Sequence, residues 1–256
     1  MPKYIYNHRK QPIDERDHKF HLTVPQLTTT LPSHVDLRTT GFMPPVLDQS
    51  QIGSCTANAT SNALRYCLHK EKVTDFQPSR LFIYYYSRLI ENSVNEDSGA
   101  VIRDVMKAVQ TYGACSENNW GYDISKFTVH PPTNVVRAAQ SHVKNFQYLA
   151  VNQDLNSIKN ALVQNFPIVF GMSVYSSFES DTVAKTGQVP MPNLQTEQNL
   201  GGHCQLICGF QDSTQTFIVM NSWNVSWGDK GFCYIPYAYL LDASLSQDFW
   251  VIKHFV

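Results

Sequence analysis

The feature that most constrains this chain is a set of three short segments that lie far apart in the sequence. Each holds one reactive group in a distinctive local frame: the thiol of Cys55 follows Gly-Ser, the imidazole of His203 follows Gly-Gly, and the amide of Asn221 precedes Ser-Trp. Such wide spacing is expected when two halves of a fold together supply a thiolate nucleophile, its base and the group that orients the base. The chain must therefore fold so that its first and last quarters meet.

The composition is that of a soluble globular protein with a sizeable core. The chain has 256 residues, of which 43% are hydrophobic and 16% are charged, and its net charge is −1. No run of Lys and Arg forms an electrostatic surface for nucleic acid or for an anionic membrane, so neither is expected as a partner. No apolar stretch reaches the roughly 18 residues of a membrane span. The polar N-terminus also lacks the apolar centre of a secretory signal.

The six cysteines show no C-x-x-C spacing. Without a signal, free thiols are expected, in the cytoplasm or another reducing intracellular compartment, or in a virion if the source is viral. The side chains of His203 and Cys204 would diverge on a strand, and the other histidines are scattered. Neither a metal site nor a cofactor is therefore expected.

Helical patterns precede strand patterns along the chain. The predicted helices span about Cys55–Lys70, Pro78–Ile90, Ala100–Tyr112, Thr133–His142 and Asp154–Gln164. The predicted strands span Pro167–Tyr175, His203–Gln211, Thr216–Asn221, Gly231–Pro236 and Asp248–Phe255. A long polar loop is predicted over Gly187–Gly202. This order favours an α+β fold in two lobes.

The expected boundaries divide the chain into three parts. Residues 1–34 form a proline-broken N-terminal extension, which is either a pro-segment or an arm that covers the cleft. Residues 35–135 form a helical lobe with the nucleophile, and residues 136–256 form a β-rich lobe with the base.

The local frame of Cys55 favours a reactive thiol. The predicted helix begins at this residue, and the unpaired N–H groups of a helix N-terminus favour the thiolate. Gly53 would let a substrate backbone approach closely. The Gln49 side-chain amide and the Cys55 N–H could both donate to the oxyanion that forms when a thiolate attacks a carbonyl.

His203 and Asn221 are predicted on adjacent strands, where the Asn221 amide oxygen could fix the imidazole tautomer. One of the two indoles of Trp223 and Trp227 could shield this hydrogen bond from water. Each residue also has a structural interpretation. Cys55 could be a buried thiol, His203 a core histidine, Asn221 a turn residue and Trp223 a core side chain.

Together these segments resemble the papain-like (C1) cysteine peptidases, over roughly Leu31 to Val256. The motifs are Asp48-Gln49, Gly53-Ser54-Cys55, Gly202-His203, and Asn221-Ser222-Trp223 followed by Trp227-Gly228. The resemblance is to the short, signal-less members found in bacteria and large DNA viruses. It implies a helical left lobe and a β-barrel right lobe with the cleft between them. It also implies thiol peptidase activity through Cys55, His203, Asn221 and Gln49.

The sequence departs from the family at several positions. Thr56 replaces the Trp that follows the nucleophile, and Ala100 replaces a Gly that binds the substrate backbone. Ile52 and Asp97 stand where relatives carry a disulfide, so that bridge is absent. The extension is also much shorter than the usual pro-region of about a hundred residues.

The resemblance further implies which residues line the cleft. The expected substrate-binding residues are Gly53, Gly99, Ala100, Val101, Ile102, Gly202 and Trp223. Val101 and Ile102 would belong to the pocket for the second residue before the scissile bond, which predicts an apolar preference there.

The first functional hypothesis is a cysteine endopeptidase that acts on peptide or protein substrates. The second is a closed or degenerate relative that serves as an interaction module, with residues 1–34 in contact with the cleft. The third is an exopeptidase, in which the loop Gly187–Gly202 would block one end of the cleft.

Overall fold

Helices dominate the first half of the molecule, and an antiparallel sheet dominates the second. The computed structural model describes residues 3–12, 14–27, 30–141 and 146–255. Its helices are α1 Phe20–Thr23, α2 Cys55–Glu71, α3 Arg80–Ile90, α4 Ile102–Tyr112, α5 Thr133–Gln140, α6 Leu155–Val163, α7 Asp181–Thr186 and α8 Tyr237–Leu241. No helix in these ranges is long and apolar enough to cross a membrane.

The strands form one sheet in which each hydrogen-bonded pair is antiparallel. They are β1 His34–Asp36, β2 Gln147–Ala150, β3 Ile168–Tyr175, β4 Asn199–Gln211, β5 Thr216–Met220, β6 Phe232–Pro236 and β7 Ser246–His254. The order across the sheet is β2-β7-β3-β4-β5-β6, with β1 paired to β4. Helix α2 packs against β4 and β7, which brings the two halves of the chain together.

The α+β prediction is confirmed, and the main differences lie at element ends. The second predicted helix begins at Arg80 instead of Pro78, because the Ser79 hydroxyl accepts a hydrogen bond from the Phe82 N–H and caps it. The predicted loop Gly187–Gly202 is shorter than expected, because β4 already starts at Asn199 and pairs with Tyr175. His142, the predicted end of the fourth helix, lies outside the described residues.

The N-terminal extension lies along the body of the protein. We call its described residues, 3–12 and 14–27, the arm. Phe20 is buried and its ring lies 5.6 Å from that of Phe166. The Ala150 N–H donates to the His18 carbonyl at 2.8 Å. This arrangement could not be predicted from periodicity, because the arm is attached through single anchor residues and has no continuous apolar face.

Candidate active site

Cys55 is the first residue of α2, as predicted, and it is fully buried. The backbone groups of Cys204 and Thr56 lie close enough to its sulfur to favour the thiolate, so the thiol is near the strand residue that follows His203. Burial nevertheless dominates and raises the pKa of the Cys55 thiol to about 12. In this closed arrangement the sulfur is a neutral thiol.

His203 lies on β4 and Asn221 directly follows β5. The imidazole Nε2–H donates to the Asn221 Oδ1 at 2.8 Å, which leaves Nδ1 as the proton-accepting nitrogen. Within the described residues Nδ1 has no hydrogen-bond partner. Burial lowers the pKa of His203 to about 4, because the charged ring would be cut off from water. The Trp223 indole stacks on the imidazole, with ring centroids 5.0 Å apart, and helps to exclude water.

Gln49 is held in one orientation by Ser222. The Ser222 hydroxyl donates to Gln49 Oε1 at 2.8 Å, and the Gln49 N–H donates to the Ser222 carbonyl at 2.9 Å. The carboxamide nitrogen is thereby directed toward the Ile52 carbonyl at 3.2 Å and the arm carbonyl of Ile5 at 3.5 Å. The positioning by Ser222 was not predicted, although its place between Asn221 and Trp223 was a usable signal.

The arm passes directly over these groups. Asn7 Nδ2 donates to the Asp97 carbonyl at 2.6 Å, and the His8 N–H donates to the Gly202 carbonyl at 2.9 Å. A Cβ atom at Gly53 would lie 2.7 Å from the Asn7 Nδ2, and one at Gly99 would overlap the Asn7 carbonyl oxygen. The absence of a side chain at Gly99 lets the arm backbone approach, and at Gly53 it makes room for the Asn7 side chain.

Aromatic contacts and one acidic residue hold the beginning of the arm. The Tyr4 ring stacks on Trp223 with a centroid distance of 3.7 Å. The Tyr6 ring meets His203 edge-on at 5.7 Å, and its hydroxyl donates to Glu179 at 2.6 Å. The Lys3 N–H also donates to the Glu179 carboxylate, at 2.8 and 3.0 Å. These contacts shield the imidazole from solvent.

A hydrogen-bond network joins the nucleophile loop to the segment between α3 and α4 at the position of the missing disulfide. The Gly53 N–H donates to both oxygens of the Asp97 carboxylate at 2.9 Å. The Tyr84 hydroxyl donates to the same carboxylate and accepts the Gly99 N–H at 3.1 Å. Asp97 thus links the segments that a disulfide links in relatives. The substitution at position 97 is visible in the sequence, whereas the hydrogen bonds that replace the disulfide are not.

Replacing Asp97 by Ala should lower the free energy of unfolding by about 2–4 kcal/mol, because charge-assisted hydrogen bonds are lost and the Gly53 N–H and Tyr84 hydroxyl lose their acceptor. Urea unfolding of the full chain would measure the change. Asp123→Ala is the matched control, since the Asp123 carboxylate is exposed and its partners among the described residues are its neighbours Ser125 and Lys126. Equal stability of the two variants would contradict a structural role for the network.

The other predicted cleft residues differ in exposure. Ala100 and Ile102 are fully buried, and Val101 is partly exposed, with its N–H donating to Glu91. Gly202 lies beneath His8, and Trp223 lies beneath Tyr4. The loop after Gly187 pairs with β6 through Gln188 and Tyr234. No group of three or more metal-binding side chains occurs in the described part of the chain.

Comparisons with known proteins agree with this geometry. Residues 31–241 match the papain family of cysteine proteases. A peptidase C1-like protein of Acanthamoeba polyphaga mimivirus is 43% identical over 85% of this chain and 73% of its own length. Cysteine proteinase 2 of Entamoeba histolytica is 28% identical over 82% of this chain and 65% of its own length.

Among solved structures, xylellain, a cysteine protease from Xylella fastidiosa, superposes with a TM-score of 0.86. It is 35% identical, and the match covers 97% of this chain and 96% of xylellain. The two-lobe fold and the resemblance to bacterial and viral members are thereby confirmed. The chain belongs to the papain family of cysteine proteases.

Proposed function

We propose that this protein is a latent thiol endopeptidase, in which Cys55 is the nucleophile and His203 the base. The observation that carries the proposal is the position of Cys55, which begins α2 and lies near the backbone of Cys204, the β4 residue next to His203. The neighbouring imidazole keeps Nδ1 without a hydrogen-bond partner in the described residues, while Asn221 holds Nε2. The closeness of thiol, imidazole and amide at one junction supports their assignment as nucleophile, base and orienting group.

In the proposed reaction, the Cys55 proton passes to His203 Nδ1 and the thiolate attacks the peptide carbonyl carbon. Gln49 Nε2 and the Cys55 N–H donate to the resulting oxyanion. The imidazolium then gives its proton to the departing amine, which leaves an acyl-enzyme. His203 next removes a proton from water and the hydroxide attacks the thioester carbonyl. The C–S bond then breaks, the acid product leaves, and the imidazolium returns its proton to the Cys55 sulfur. Asn221 supports each imidazolium stage by accepting the Nε2–H.

The arm accounts for latency in this proposal. The Ile5 carbonyl accepts from Gln49 Nε2 at 3.5 Å and so engages the group that would donate to the oxyanion. Asn7 covers Gly53. The same burial that raises the pKa of Cys55 and lowers that of His203 disfavours proton transfer between them, since it penalises both charged forms. An open cleft would restore water to both groups, and the N-terminus of α2 would then favour the thiolate.

The competing hypotheses have less support. A degenerate site would be expected to lack one of its chemical groups, whereas Gln49, Cys55, His203 and Asn221 are present together. The loop after Gly187 packs on β6, and no described contact joins it to Cys55, so exopeptidase action has no supporting observation. All six cysteines are unpaired, which favours work in a reducing compartment.

The direct test is labelling by an epoxide that alkylates thiolates. A recognition site for an unrelated sequence-specific protease is inserted after the exposed Thr30, the full chain is folded and then cut, and the arm is removed. We expect the armless chain to hydrolyse peptides. We also expect the rate to fall in proportion to the fraction of Cys55 that is modified, as measured by mass spectrometry. Labelling of another cysteine, or hydrolysis that survives complete labelling, would refute the assignment.

A further inference from the structure

A small polar cavity lies in the interior, at the junction of α2 with the strands β4 and β5. Its volume is about 10 Å³, and every residue that lines it is buried. The lining residues lie between positions 58 and 222, on these three elements and on Asn221 and Ser222 directly after β5. No described residue of the arm is among them. The walls of the cavity therefore belong to the two lobes and do not depend on the arm.

Three of the lining residues each have one buried polar atom without a hydrogen-bond partner among the described residues. These atoms are Asn62 Oδ1, Gln205 Oε1 and Asn221 Nδ2. The amide nitrogens of the first two residues donate to sulfur atoms, which are weak acceptors. Asn62 Nδ2 lies 3.0 Å from Met220 Sδ, and Gln205 Nε2 lies 4.0 Å from Cys233 Sγ. Because an unpaired buried polar atom is costly, three of them around one cavity indicate a shared partner.

The size and the chemistry of the cavity both fit one water molecule. A buried water needs roughly 10–15 Å³ and makes about three hydrogen bonds. The two side-chain oxygens are acceptors, and the Asn221 nitrogen is a donor, because Asn221 Oδ1 is the atom that accepts the Ser222 N–H at 2.8 Å. A water molecule would donate one hydrogen to each oxygen and accept the third hydrogen bond from Nδ2. All three unpaired atoms would then be satisfied at once.

The two residues with unpaired oxygens lie behind the proposed nucleophile and base. Gln205 follows His203 by two positions on β4, so the two side chains lie on the same face of the strand. Asn62 follows Cys55 by seven positions on α2, which is about two turns along the same face of the helix. The cavity therefore continues into the interior the faces that carry the thiol and the imidazole.

We propose that Gln205 and Asn62 are positioning residues that hold the Asn221 carboxamide through one shared, buried water molecule, an inference that rests on the proposed function. Asn221 Oδ1 accepts the His203 Nε2–H at 2.8 Å, which requires the carboxamide nitrogen to point away from the imidazole. The water gives that nitrogen an acceptor. It therefore opposes a rotation that would turn a carboxamide N–H toward the imidazole N–H, and it keeps the acceptor in place when the imidazolium forms.

The kinetic test removes each oxygen separately from the cut chain freed of its arm. Gln205→Met and Asn62→Leu put an apolar side chain of similar size in place of each acceptor, so packing changes little. We expect each variant to lower kcat for peptide hydrolysis by about tenfold while KM stays nearly unchanged. Thr60→Val is the matched control and should keep its kcat. It removes a buried hydroxyl of α2 that lacks a partner among the described residues and lies outside the cavity. An equal loss in this control would overturn the proposal.

Two further readouts separate positioning from a general loss of stability. The hydrogen bond to Asn221 raises the pKa of His203, so a loosened carboxamide lowers it. The alkaline limb of kcat/KM, where the imidazolium loses its proton, should therefore move to lower pH by about half a pH unit or more in Gln205→Met. In an Asn221→Ala chain, Gln205→Met should cause no further loss, because the carboxamide through which it acts is gone. An unmoved pH profile, or a full additional loss, would contradict the positioning role.

A crystal structure of the full chain with its arm in place tests the water itself, without any need for catalysis or for a variant that folds. We expect one water molecule about 3 Å from each of Asn62 Oδ1, Gln205 Oε1 and Asn221 Nδ2. A cavity without a water, or a water that contacts only one or two of these atoms, overturns the proposal. Failure of the armless chain to hydrolyse any peptide would instead count against the proposed function, and the crystal structure would still decide whether a water holds Asn221.

Discussion

Removal of the arm from the cut chain is expected to raise the rate of Cys55 alkylation at pH 7.5 by about a thousandfold or more. Burial places the pKa of Cys55 near 12 in the closed molecule, so only a minute fraction of the thiol is ionised at that pH. A fall of at least about three pKa units on opening raises the thiolate fraction at this pH by about a thousandfold. Peptide hydrolysis should rise in parallel, since Asn7 and Tyr6 no longer cover the site.

The pH dependence of alkylation makes this result specific. In the closed chain the rate should keep rising into the alkaline range, as it does for a thiol with a raised pKa. In the open chain it should already be high at neutral pH, because solvation and the imidazolium stabilise the thiolate. Identical profiles before and after cutting would show that the arm does not govern the thiol.

The anchoring of the arm can be tested with two substitutions in the same short helix, α1. Phe20→Ala in the cut chain removes a ring that is 1% exposed and should weaken arm retention by about 3 kcal/mol, or roughly a hundredfold. Leu22→Ala changes a side chain that is 78% exposed and should leave retention as it is. Size-exclusion chromatography after cutting measures retention. Both residues lie on the arm but away from the catalytic groups, so a similar effect of the two variants would contradict this anchoring.

Replacing Cys55 by alanine is expected to lower kcat/KM of the open enzyme by about a factor of 10⁵ or more, because no acyl-enzyme can form without the sulfur. Steady-state hydrolysis of a fluorogenic peptide measures the loss. Cys67→Ala is the matched control: it removes a buried thiol from the same helix, and its sulfur has no part in the proposed reaction. Comparable losses in the two variants would mean that the helix, and not the Cys55 thiol, was the sensitive element.

The main elements of the fold could be predicted because their signals are local. The core of α2 repeats apolar residues at helical spacing, and β3, β5 and β6 are short runs rich in β-branched and aromatic residues. Strands β1 and β2 were not predicted, since three or four residues are too few to show a period. Strand β1 is defined by its pairing partner, β4, which is distant in sequence.

The four proposed catalytic groups could also be named from sequence, because each sits in a recognisable frame of neighbours. Their protonation states could not. Those states depend on complete burial of Cys55 and His203, which arises only when α2, β4 and the arm come together. Likewise, the hydrogen bond from the Gly53 N–H to the Asp97 carboxylate depends on the folded geometry. The presence of Asp at position 97, where relatives have Cys, does not reveal it.

The amino-acid sequence by itself determined the family and the α+β architecture, and it supplied the proposed assignment of the thiol, the imidazole and the two amides. These follow from short-range patterns and ordered motifs. Only the tertiary structure decided where the arm lies and that Asn7 and His8 occupy the cleft. The physical reason is that the arm has no repeating apolar face: it is positioned by single side chains and backbone groups that match surfaces built from residues far along the chain.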